Sequence, residues 1–543
     1  MDESQAFQSC HFAVPSPCGT YLASLTQQNL YVQYSKSLAP AFTFPLDDPA
    51  QPKIVAENQS LQWSTSSTYL MMVSTQGVHA YSLQDAALNI HVANGSASLG
   101  KIHAAEILSD HGREQLMVVW EFGRVNLWDF STGRATEIGD VKMGGRGSPW
   151  AIRRSRGRPQ VLALLMRRDA QDVLSFYLPP STTPFRTVTL PTVDVQSLAW
   201  SSCGQWLCTL DTLLNPQQLQ IYSAEGFLFR QYPPAQKPTP PSSPQRETQD
   251  LFLGYKSATW SDKSLVLSEA QSLTFLNTRT FSTKFILPLS SIQTESRSLE
   301  DSIVAYQETI NAAGVRSYDL LTGQIIPVPT PKSALVDVRF NRAGTFLSCR
   351  DEAHDSALYI IDVLRRRVHS VLLQHAPLRR AVWHPARPTL LHVLGDAGAL
   401  HLWDVGTGTP PLHVPHCFEK LPDAGRIEAR WVSPSQDPDE KLAVLVTSRK
   451  AGFQLLWPQG RPDLAGEQEG AVGVADVEDA SEDSLYDILT GRTPLPELKV
   501  KQVEMEADAE TTQRLEDTFR EKVVKTGEQG LKGESIDDDS EIF

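Results

Sequence analysis

The chain has 543 residues and is acidic overall, with 63 Asp and Glu against 49 Lys and Arg and a formal net charge of −14. The acidity is uneven, because residues 466–543 hold 22 acidic and 8 basic residues and the rest holds 41 of each. No run of about 18 apolar residues is present, so a membrane span is not expected. The polar, acidic start MDESQAFQSC lacks the regions of a secretory signal. The six cysteines form no C-x-x-C pair, which favours reduced thiols in an intracellular protein.

One phrase recurs along the chain: an apolar residue, any residue and an aromatic residue, then a small polar turn and a second apolar strand. In chain order it reads FAVPSPCGTYL at 12–22, LQWSTSSTYL at 61–70, LAWSSCGQWL at 198–207, VRFNRAGTFL at 338–347 and AVWHPARPTL at 381–390. Exits of the form LWDFSTG at 127–133 and LWDVGTG at 402–408 accompany it. Repetition at roughly 40–45 residues, with Trp-Asp at a strand end, is typical of WD-type propeller blades.

The spacing predicts an all-β WD-repeat β-propeller with nine to ten blade-like units, arranged as one large ring or two smaller rings. The units centre on Ala13, Gln62, Ala105, Ala151, Ala199, Ala258, Val304, Asp337, Val382 and Ala429. The unit at 302–328 is degraded, and a generic all-β sandwich is the alternative. Large aromatic residues are expected to fill the seams between blades, and an Asp after a Trp is expected to hold a turn. These structural residues are Trp63, Trp128, Asp129, Trp200, Trp260, Trp383, Trp403 and Asp404.

Three regions are predicted. Residues 1–462 form the propeller, 233–249 are a proline-rich inserted loop, and 463–543 are a disordered acidic tail that has too few apolar residues to fold. Within the tail, DSLYDIL at 483–489 and the segment 511–525 either stay solvated or become ordered on a partner. The loop contains Ser243-Pro244-Gln245-Arg246, a proline-directed kinase pattern, so Ser243 is a candidate phosphosite.

No catalytic, phosphate-binding or metal-binding motif is found. The sequence lacks a phosphate-binding P-loop, an H-E-x-x-H pair, a G-x-S-x-G elbow and a zinc-binding cysteine pattern. The chain is therefore predicted not to be an enzyme, with no catalytic, cofactor-binding or metal-ligating residues and no cofactor. The histidines between residues 354 and 401 are expected to scatter, because successive strands carry them to different places.

Arginines are grouped in two stretches. The first lies at 153–158, and the second supplies the candidate partner-binding residues Arg365, Arg366, Arg367, Arg379 and Arg380. We interpret them as sites for an acidic partner helix or the chain's own tail, with solvated loops as the alternative. Because the propeller is net neutral, neither nucleic acid nor a membrane is expected as a partner.

Three consecutive stretches carry a resemblance: MRRDAQDVLSFY at 166–177, VQSLAWSSCGQWLCTLDT with LQIYSAEGFL at 195–228, and LGYKSATWSDKSLVL at 253–267. In content, order and spacing they resemble the WD-repeat protein eight family of centrosome and spindle-pole-body proteins, here a fungal-type member. The resemblance extends more thinly from residue 12 to about residue 460. The family usually has Trp where this chain has Leu210, before Asp-Thr, and the proline-rich insertion and the acidic tail are not part of the family pattern.

The resemblance implies a non-catalytic adaptor in the cytoplasm and cytoskeleton, at the microtubule-organising centre or spindle pole body. Such proteins act with a coiled-coil spindle-pole anchoring protein, and in fungi with a minus-end-directed kinesin, to anchor microtubule minus ends and assemble the mitotic spindle. An RNA- or translation-associated WD-repeat scaffold is the alternative from another class. A propeller enzyme is the third hypothesis, and the absence of convergent carboxylates argues against it.

Overall fold

The computed structural model describes residues 2–46, 58–74, 77–85, 89–93, 99–110, 113–130, 132–145, 147–155, 157–179, 181–212, 214–234, 254–289, 303–321, 329, 334–419, 421, 425–432 and 441–461. In these ranges the chain is built almost entirely of short β-strands joined by tight turns. No helix in the described part has the length and apolarity needed to cross a membrane.

The described strands form nine sheets, eight with four strands and one with six. Each sheet is one blade. In seven blades the strands follow chain order from the innermost to the outermost, and blades 7 and 9 each add outer strands from elsewhere in the chain. Blade 1 contains β2 (Val14–Pro15), β3 (Tyr21–Leu25), β4 (Asn29–Tyr34) and β5 (Pro40–Pro45). Blade 2 contains β6 (Asn58–Trp63), β7 (Tyr69–Ser74), β8 (Gly77–Ser82) and β9 (Asn89–Ala93). Blade 3 contains β10 (Ile102–Asp110), β11 (Arg113–Trp120), β12 (Val125–Asp129) and β13 (Ala135–Ile138).

The middle blades follow the same plan. Blade 4 contains β14 (Trp150–Arg153), β15 (Val161–Arg168), β16 (Gln171–Tyr177) and β17 (Arg186–Thr189). Blade 5 contains β18 (Val195–Trp200), β19 (Trp206–Asp211), β20 (Leu219–Ser223) and β21 (Leu228–Tyr232). Blade 6 contains β22 (Ser257–Trp260), β23 (Ser264–Ser268), β24 (Ser272–Asn277) and β25 (Thr283–Pro288).

The last three blades complete the ring. Blade 7 contains β28 (Leu335–Phe340), β29 (Phe346–Asp351), β30 (Ala357–Asp362) and β31 (Arg367–Leu373), and a hairpin of β26 (Val304–Ile310) and β27 (Arg316–Leu320). Blade 8 contains β32 (Leu378–Trp383), β33 (Leu390–Gly395), β34 (Leu400–Asp404), the short 3-10 helix Val405–Thr407 and β35 (Leu412–His413). Blade 9 contains β36 (Ile427–Trp431), β37 (Val444–Ser448), β38 (Gly452–Trp457) and β1 (Asp2–Glu3).

The second strand of each blade explains why the repeat folds this way. All six residues of β33, LLHVLG, are buried, and five of the six residues of β7 are buried. A strand in the middle of a blade is covered on both faces by neighbouring blades, so it is apolar throughout instead of alternating. The fourth strands are largely exposed, as in β17 and β25.

The ring closes through the N-terminus. Strand β1 pairs with β38 in antiparallel register, with Asp2 opposite Trp457, so the first residues of the chain form the outer strand of the last blade. Leu22 of blade 1 packs in one buried cluster with Leu455 and Trp457 of blade 9. The protein is therefore one nine-bladed β-propeller in a single ring.

The unit at 302–328 is not a tenth blade. Its described residues form the β26–β27 hairpin, and β26 pairs in parallel with β31, with Val304 opposite Ser370. The hairpin therefore widens blade 7 to six strands. The other nine predicted centres lie in or next to the nine innermost strands.

Every blade has two ends. The loop between the first and second strands and the loop between the third and fourth strands lie at one end, here named the AB face. The remaining loops, including the connections between blades, lie at the opposite end, named the BC face. A strand of six residues separates the faces by about 20 Å.

Candidate partner-binding surface

Tryptophans on the innermost strands connect each blade to the one before it. In five blades, the indole N–H donates to a backbone carbonyl on the innermost strand of the preceding blade, at 3.0–3.2 Å. The pairs are Trp63 with Val14, Trp200 with Ala151, Trp260 with Ala199, Trp383 with Arg339, and Trp431 with Val382. These bonds fix the spacing of the strands that surround the central channel. Sequence reasoning named four of the five and missed Trp431, although the unit centred on Ala429 contained it.

The two Trp-Asp exits differ in their surroundings. Trp403 is 2% exposed, donates to the Thr409 carbonyl at 3.2 Å and packs edge-on against Tyr306. Asp404 accepts a hydrogen bond from the Gly406 N–H at 3.0 Å, which holds the turn after β34. Trp128 is only half-buried and lies at the margin of the cluster shared by blades 2 and 3.

Asp129 lies at the corresponding turn of blade 3. Its backbone carbonyl accepts from the Gly133 N–H at 2.9 Å. Gly133 has a φ of 65°, a left-handed conformation that favours glycine, and Gly408 after the second exit has a φ of 66°.

The structure divides the predicted arginine cluster between the two faces. Arg365, Arg366 and Arg367 lie on the AB face, in and after the loop between β30 and β31. The Arg366 guanidinium carbon is 5.1 Å from the centre of the Phe285 ring. Arg379 and Arg380 begin β32 at the BC face, one full strand away. These five residues therefore do not form one patch.

Arg380 belongs instead to a second group, which no sequence motif indicated. Five arginines and two carboxylates lie near the channel on blades 7–9. Arg339 and Arg350 pair with Asp337 at 3.7 and 2.8 Å, and Arg426 and Arg430 pair with Glu428 at 3.4 and 3.1 Å. The fifth is Arg380, which makes no ion pair or hydrogen bond with the residues that the structure describes. We name this group the basic sector, and it comprises Arg339, Arg350, Arg380, Arg426, Arg430, Asp337 and Glu428.

The electrostatics of the basic sector favour an anion. Partial burial and the nearby positive charges of Arg339 and Arg430 lower the pKa of Arg380, against the opposing charges of Glu428 and Asp337, and the residue itself stays exposed. Behind them, burial lowers the pKa of His392 to about 3, and the charges of Arg380 and Arg339 add to this effect. His392 is therefore neutral near pH 7, and the five guanidinium groups of the sector outnumber its two carboxylates.

A groove extends from the basic sector along the channel. Between the innermost strands of blades 6 and 7 lies a cavity of about 550 Å³, lined among others by Thr259, Arg339 and Arg342. A second cavity of about 370 Å³, lined by Lys256, Asp337 and Arg339, continues toward the BC face. The shape is a shallow cleft suited to a chain segment rather than a closed pocket.

A separate polar network attaches the β26–β27 hairpin to blade 8. Arg316 donates to Glu308 at 2.8 Å and to Glu419 at 3.0 Å. The ring of His413 lies 3.1 Å from Glu419, and His401 Nε2 lies 3.4 Å from Glu308. Burial alone would raise the pKa of Glu308, but the nearby His401 ring and hydrogen bonds from the His375 N–H and Arg316 outweigh it and lower that pKa to about 2.

The network has a structural role rather than the arrangement of a metal site. No group of three or more His, Cys, Asp or Glu side chains in the described ranges could hold a metal ion. The other histidines were expected to scatter. His384 and His392 depart from this expectation, because both pack against Trp431.

Several predicted features lie outside the described residues. Ser243, all of the proline-rich loop after residue 234, and the tail from 463 to 543 belong to this group. The described ends of the loop, at Tyr232 and Tyr255, have ring centres 6.0 Å apart. They lie at the BC face, whereas Arg365–Arg367 lie at the AB face.

Comparisons with known proteins agree with the fold. No protein-family model matches the chain. An uncharacterised WD repeat-containing protein of Schizosaccharomyces pombe is 24% identical over 341 residues, which cover 59% of this chain and 65% of that protein. The match thus spans slightly less than two thirds of this relative. The WD repeat-containing protein WRAP73 of Mus musculus is 25% identical over 428 residues, which cover 73% of this chain and 84% of that protein.

The solved structures that resemble this chain have lower sequence identity to it than these two relatives. A crystal structure of the eukaryotic initiation factor has 12% identity and a TM-score of 0.48, covering 74% of this chain and 87% of that one. The C-terminal WD40 domain of Sif2 has 10% identity and a TM-score of 0.43, covering 76% and 97%. These values concern the fold alone. By its own strand order the chain is a nine-bladed propeller, and by sequence it is similar to WD repeat-containing proteins, whose propellers usually serve as scaffolds.

Proposed function

We propose that this chain belongs to the WD-repeat protein eight family and acts as a non-catalytic adaptor at the microtubule-organising centre. In this role it helps to anchor microtubule minus ends and to assemble the spindle through a coiled-coil partner, in concert with a minus-end-directed kinesin. The three stretches that carry the resemblance lie on consecutive blades, 4, 5 and 6. The observation that supports a docking function is the basic sector.

The basic sector suits an acidic protein segment. Its five arginines exceed its two carboxylates, and Arg380 forms no direct ion pair with a described residue, although Glu428 and Asp337 are near it. An acidic segment in the adjoining cleft would supply the missing charge, and desolvated guanidinium–carboxylate pairs are strong and geometrically specific. Because the microtubule surface is acidic and the chain is acidic overall, recruitment through a partner is easier than direct binding to the lattice.

The test compares Arg380→Glu with two controls. Arg380→Lys keeps the charge, and Arg134→Glu reverses an exposed arginine on blade 3, far from the basic sector. Reversal at Arg380 is expected to lower recovery of a coiled-coil spindle-pole protein by about tenfold or more and to reduce the pole signal of a fluorescent fusion in mitosis. Arg134→Glu should behave like the unmodified chain, and Arg380→Lys, which keeps the charge but not the planar guanidinium, should retain most of the recovery.

Other outcomes would overturn parts of the proposal. Recovery of ribosomal subunits in place of spindle-pole proteins would favour the RNA- or translation-associated scaffold. Normal localisation and partner recovery in Arg380→Glu would remove the basic sector from the docking mechanism.

A further inference from the structure

Four large apolar side chains are exposed on the AB face of blades 4 and 5, where Phe227 lies toward blade 4 and Phe229 toward blade 6. Phe185 is 43% exposed, Phe227 57%, Leu228 44% and Phe229 52%. We name these four residues the phenylalanine patch. Contiguous exposed apolar residues are uncommon on soluble proteins and mark interaction sites, because covering them is worth about 25 cal/mol per Å².

The patch rests on a rigid aromatic base. The Phe229 ring centre lies 4.7 Å from that of Trp206 and 5.8 Å from that of Phe281, which is fully buried. Beside these rings is an open cavity of about 450 Å³, lined among others by Trp206, Phe229 and Trp260. A cavity of this size admits one or two side chains of a partner.

Gly226 allows the two halves of the patch to come together. Its φ is 83°, and a Cβ there would lie 2.7 Å from Arg186 Cγ and 2.9 Å from the Phe176 ring. Only glycine therefore lets the loop before Phe227 approach blade 4. The turn at Gly226 therefore places Phe227 next to Arg186 of blade 4.

Basic side chains surround the patch. The Arg186 guanidinium carbon lies 4.4 Å from the centre of the Phe227 ring, and Arg279 lines the cavity. Arg230 donates to the Thr280 carbonyl, which holds the outer strand of blade 5 against blade 6. These arginines outnumber the nearby acidic side chains, which are Glu225 and Asp262.

We propose that the phenylalanine patch is the docking site for an amphipathic segment of a protein partner. That segment carries Leu, Phe or Tyr anchors on one side and Asp or Glu beside them. The apolar anchors cover Phe227 and Phe229 and enter the cavity, and the acidic residues face Arg186 and Arg279. Aromatic residues and arginine are the residues most enriched at the energetic centres of protein interfaces.

The orientation of the rings favours a protein over a nucleic acid. Stacking of bases needs free aromatic faces. One face of Phe227 is covered by Arg186, and Phe229 lies against Trp206 at an interplanar angle of 51°. Phe227 therefore has at most one open face, and the cavity beside Phe229 accepts aliphatic and aromatic side chains. The site goes beyond the proposed adaptor function, since none of its four residues belongs to the basic sector. The cavities beside the two sites share Trp260, Ser261 and Asp262 of blade 6.

A displayed peptide library tests the proposal directly. Random peptides on phage are selected on the full-length chain and counter-selected on the Phe227→Ser/Phe229→Ser double variant. The expected consensus contains Leu, Phe or Tyr next to Asp or Glu. Peptides made from that consensus should bind the double variant about tenfold or more weakly by fluorescence anisotropy.

Matched variants define the site. Phe122 is 62% exposed on the BC face, so Phe122→Ser removes an equally exposed ring and should leave binding unchanged. Arg186→Glu should weaken binding of the acidic peptides, whereas Arg134→Glu, which reverses an exposed arginine on blade 3, should not. Arg380→Glu should also have no effect on them, which separates this site from the basic sector.

The proposal is overturned if no selected clone distinguishes the chain from the double variant. It is equally overturned if the distinguishing clones are basic or lack apolar anchors. A single-stranded RNA oligonucleotide is the third probe: binding that is lost in both the double variant and Arg186→Glu, and that competes with the peptides at equal or higher affinity, would assign the patch to RNA.

Discussion

Blade 5 and blade 8 are held in the ring by the same bond, yet they present different surfaces. Trp200 donates to Ala151 and Trp383 donates to Arg339, each across one blade seam. Blade 5 exposes Phe227 and Phe229 at its rim, whereas blade 8 contributes Arg380 to the channel. The residues that make a blade fit its neighbours are thus independent of the residues that a partner would meet.

The same contrast holds for the neighbouring blades. Blades 4–6 follow the four-strand plan and expose aromatic residues, while blades 7–9 include the extra hairpin, the basic sector and the Glu308 network. A repeat protein can vary its loops and its channel positions freely, because each blade needs only its apolar faces to stack. Two distinct docking surfaces on one ring are a natural outcome.

The largest expected effect contrasts the two Trp-Asp exits. Trp403→Ala should destabilise the propeller by about 3–5 kcal/mol, because this side chain is fully enclosed and loses its bond to Thr409. Trp128→Ala should cost less, about 1–3 kcal/mol, since Trp128 is half-buried. The shift of the denaturant midpoint measures both. Equal losses at the two sites, or a loss at Trp403 under about 1 kcal/mol, would contradict the assigned difference in packing.

The second effect concerns the hairpin that distinguishes blade 7. Glu308→Gln removes the buried charge that Arg316 pairs with and should cost about 2–4 kcal/mol. The folded pKa of Glu308 is lowered from its ordinary value of 4.5 to about 2, so its ionised form stabilises the fold above pH 4.5. That contribution is lost as the pH falls from 4.5 toward 2.

Thermal melts between pH 7 and pH 3 check this prediction. The midpoint of the variant should fall less steeply below pH 4.5 than that of the unmodified chain. Glu137→Gln on blade 3 is a suitable control, because that carboxylate pairs with Arg124 on an exposed surface. Parallel curves for Glu308→Gln and the unmodified chain would show that Glu308 does not carry the pH dependence.

A smaller effect tests the shared tryptophan bond. Trp383→Phe should cost about 1.5–3 kcal/mol, because the buried indole N–H donates to both Arg339 and Ser348. Trp200→Phe should cost about 0.5–1.5 kcal/mol, since Trp200 is only partly buried and donates to Ala151 alone. Blade 7 has Phe340 at the corresponding position of its innermost strand, so a phenyl ring can occupy this position of a blade. Denaturant midpoints that rank the two variants in the opposite order would contradict the role of the second bond.

The fold was largely predictable because the repeated phrase is local. An apolar-x-aromatic strand, a polar turn and a second apolar strand encode each innermost hairpin, and nine of the ten predicted centres lie in or next to such strands. The centre at Val304 has the same local character, but its parallel pairing with β31 depends on a contact far along the chain. Local pattern cannot distinguish the two cases.

The candidate surfaces were less predictable for a related reason. Nearness in sequence suggested that Arg367 and Arg379 belong together, yet β31 carries the chain from one face to the other between them. Conversely, Arg339, Arg380 and Arg430 come from three different repeats. Aligning the phrases would have shown that Arg339 and Arg430 both precede the aromatic position. The exposure of Phe227 and Phe229 had no signal in the sequence, because a strand of that composition is usually buried.

The smallest expected effect concerns the loop arginines of blade 7, which the sequence offered as partner-binding residues. Arg366→Ala should cost about 0.5–1 kcal/mol, because the guanidinium lies over the Phe285 ring and holds the loop against blade 6. Arg366→Lys is the matched control: it keeps the charge but not the planar stacking, so it should recover only part of the loss. Arg365 is more exposed and 3.8 Å from Asp362, so Arg365→Ala should change the midpoint by less than about 0.5 kcal/mol. A different outcome is that both alanine variants leave stability unchanged and reduce partner recovery as strongly as Arg380→Glu. The AB-face loop of blade 7 would then be a docking surface. In that case the loop arginines would not be purely structural, and docking in this half of the ring would not be confined to the basic sector.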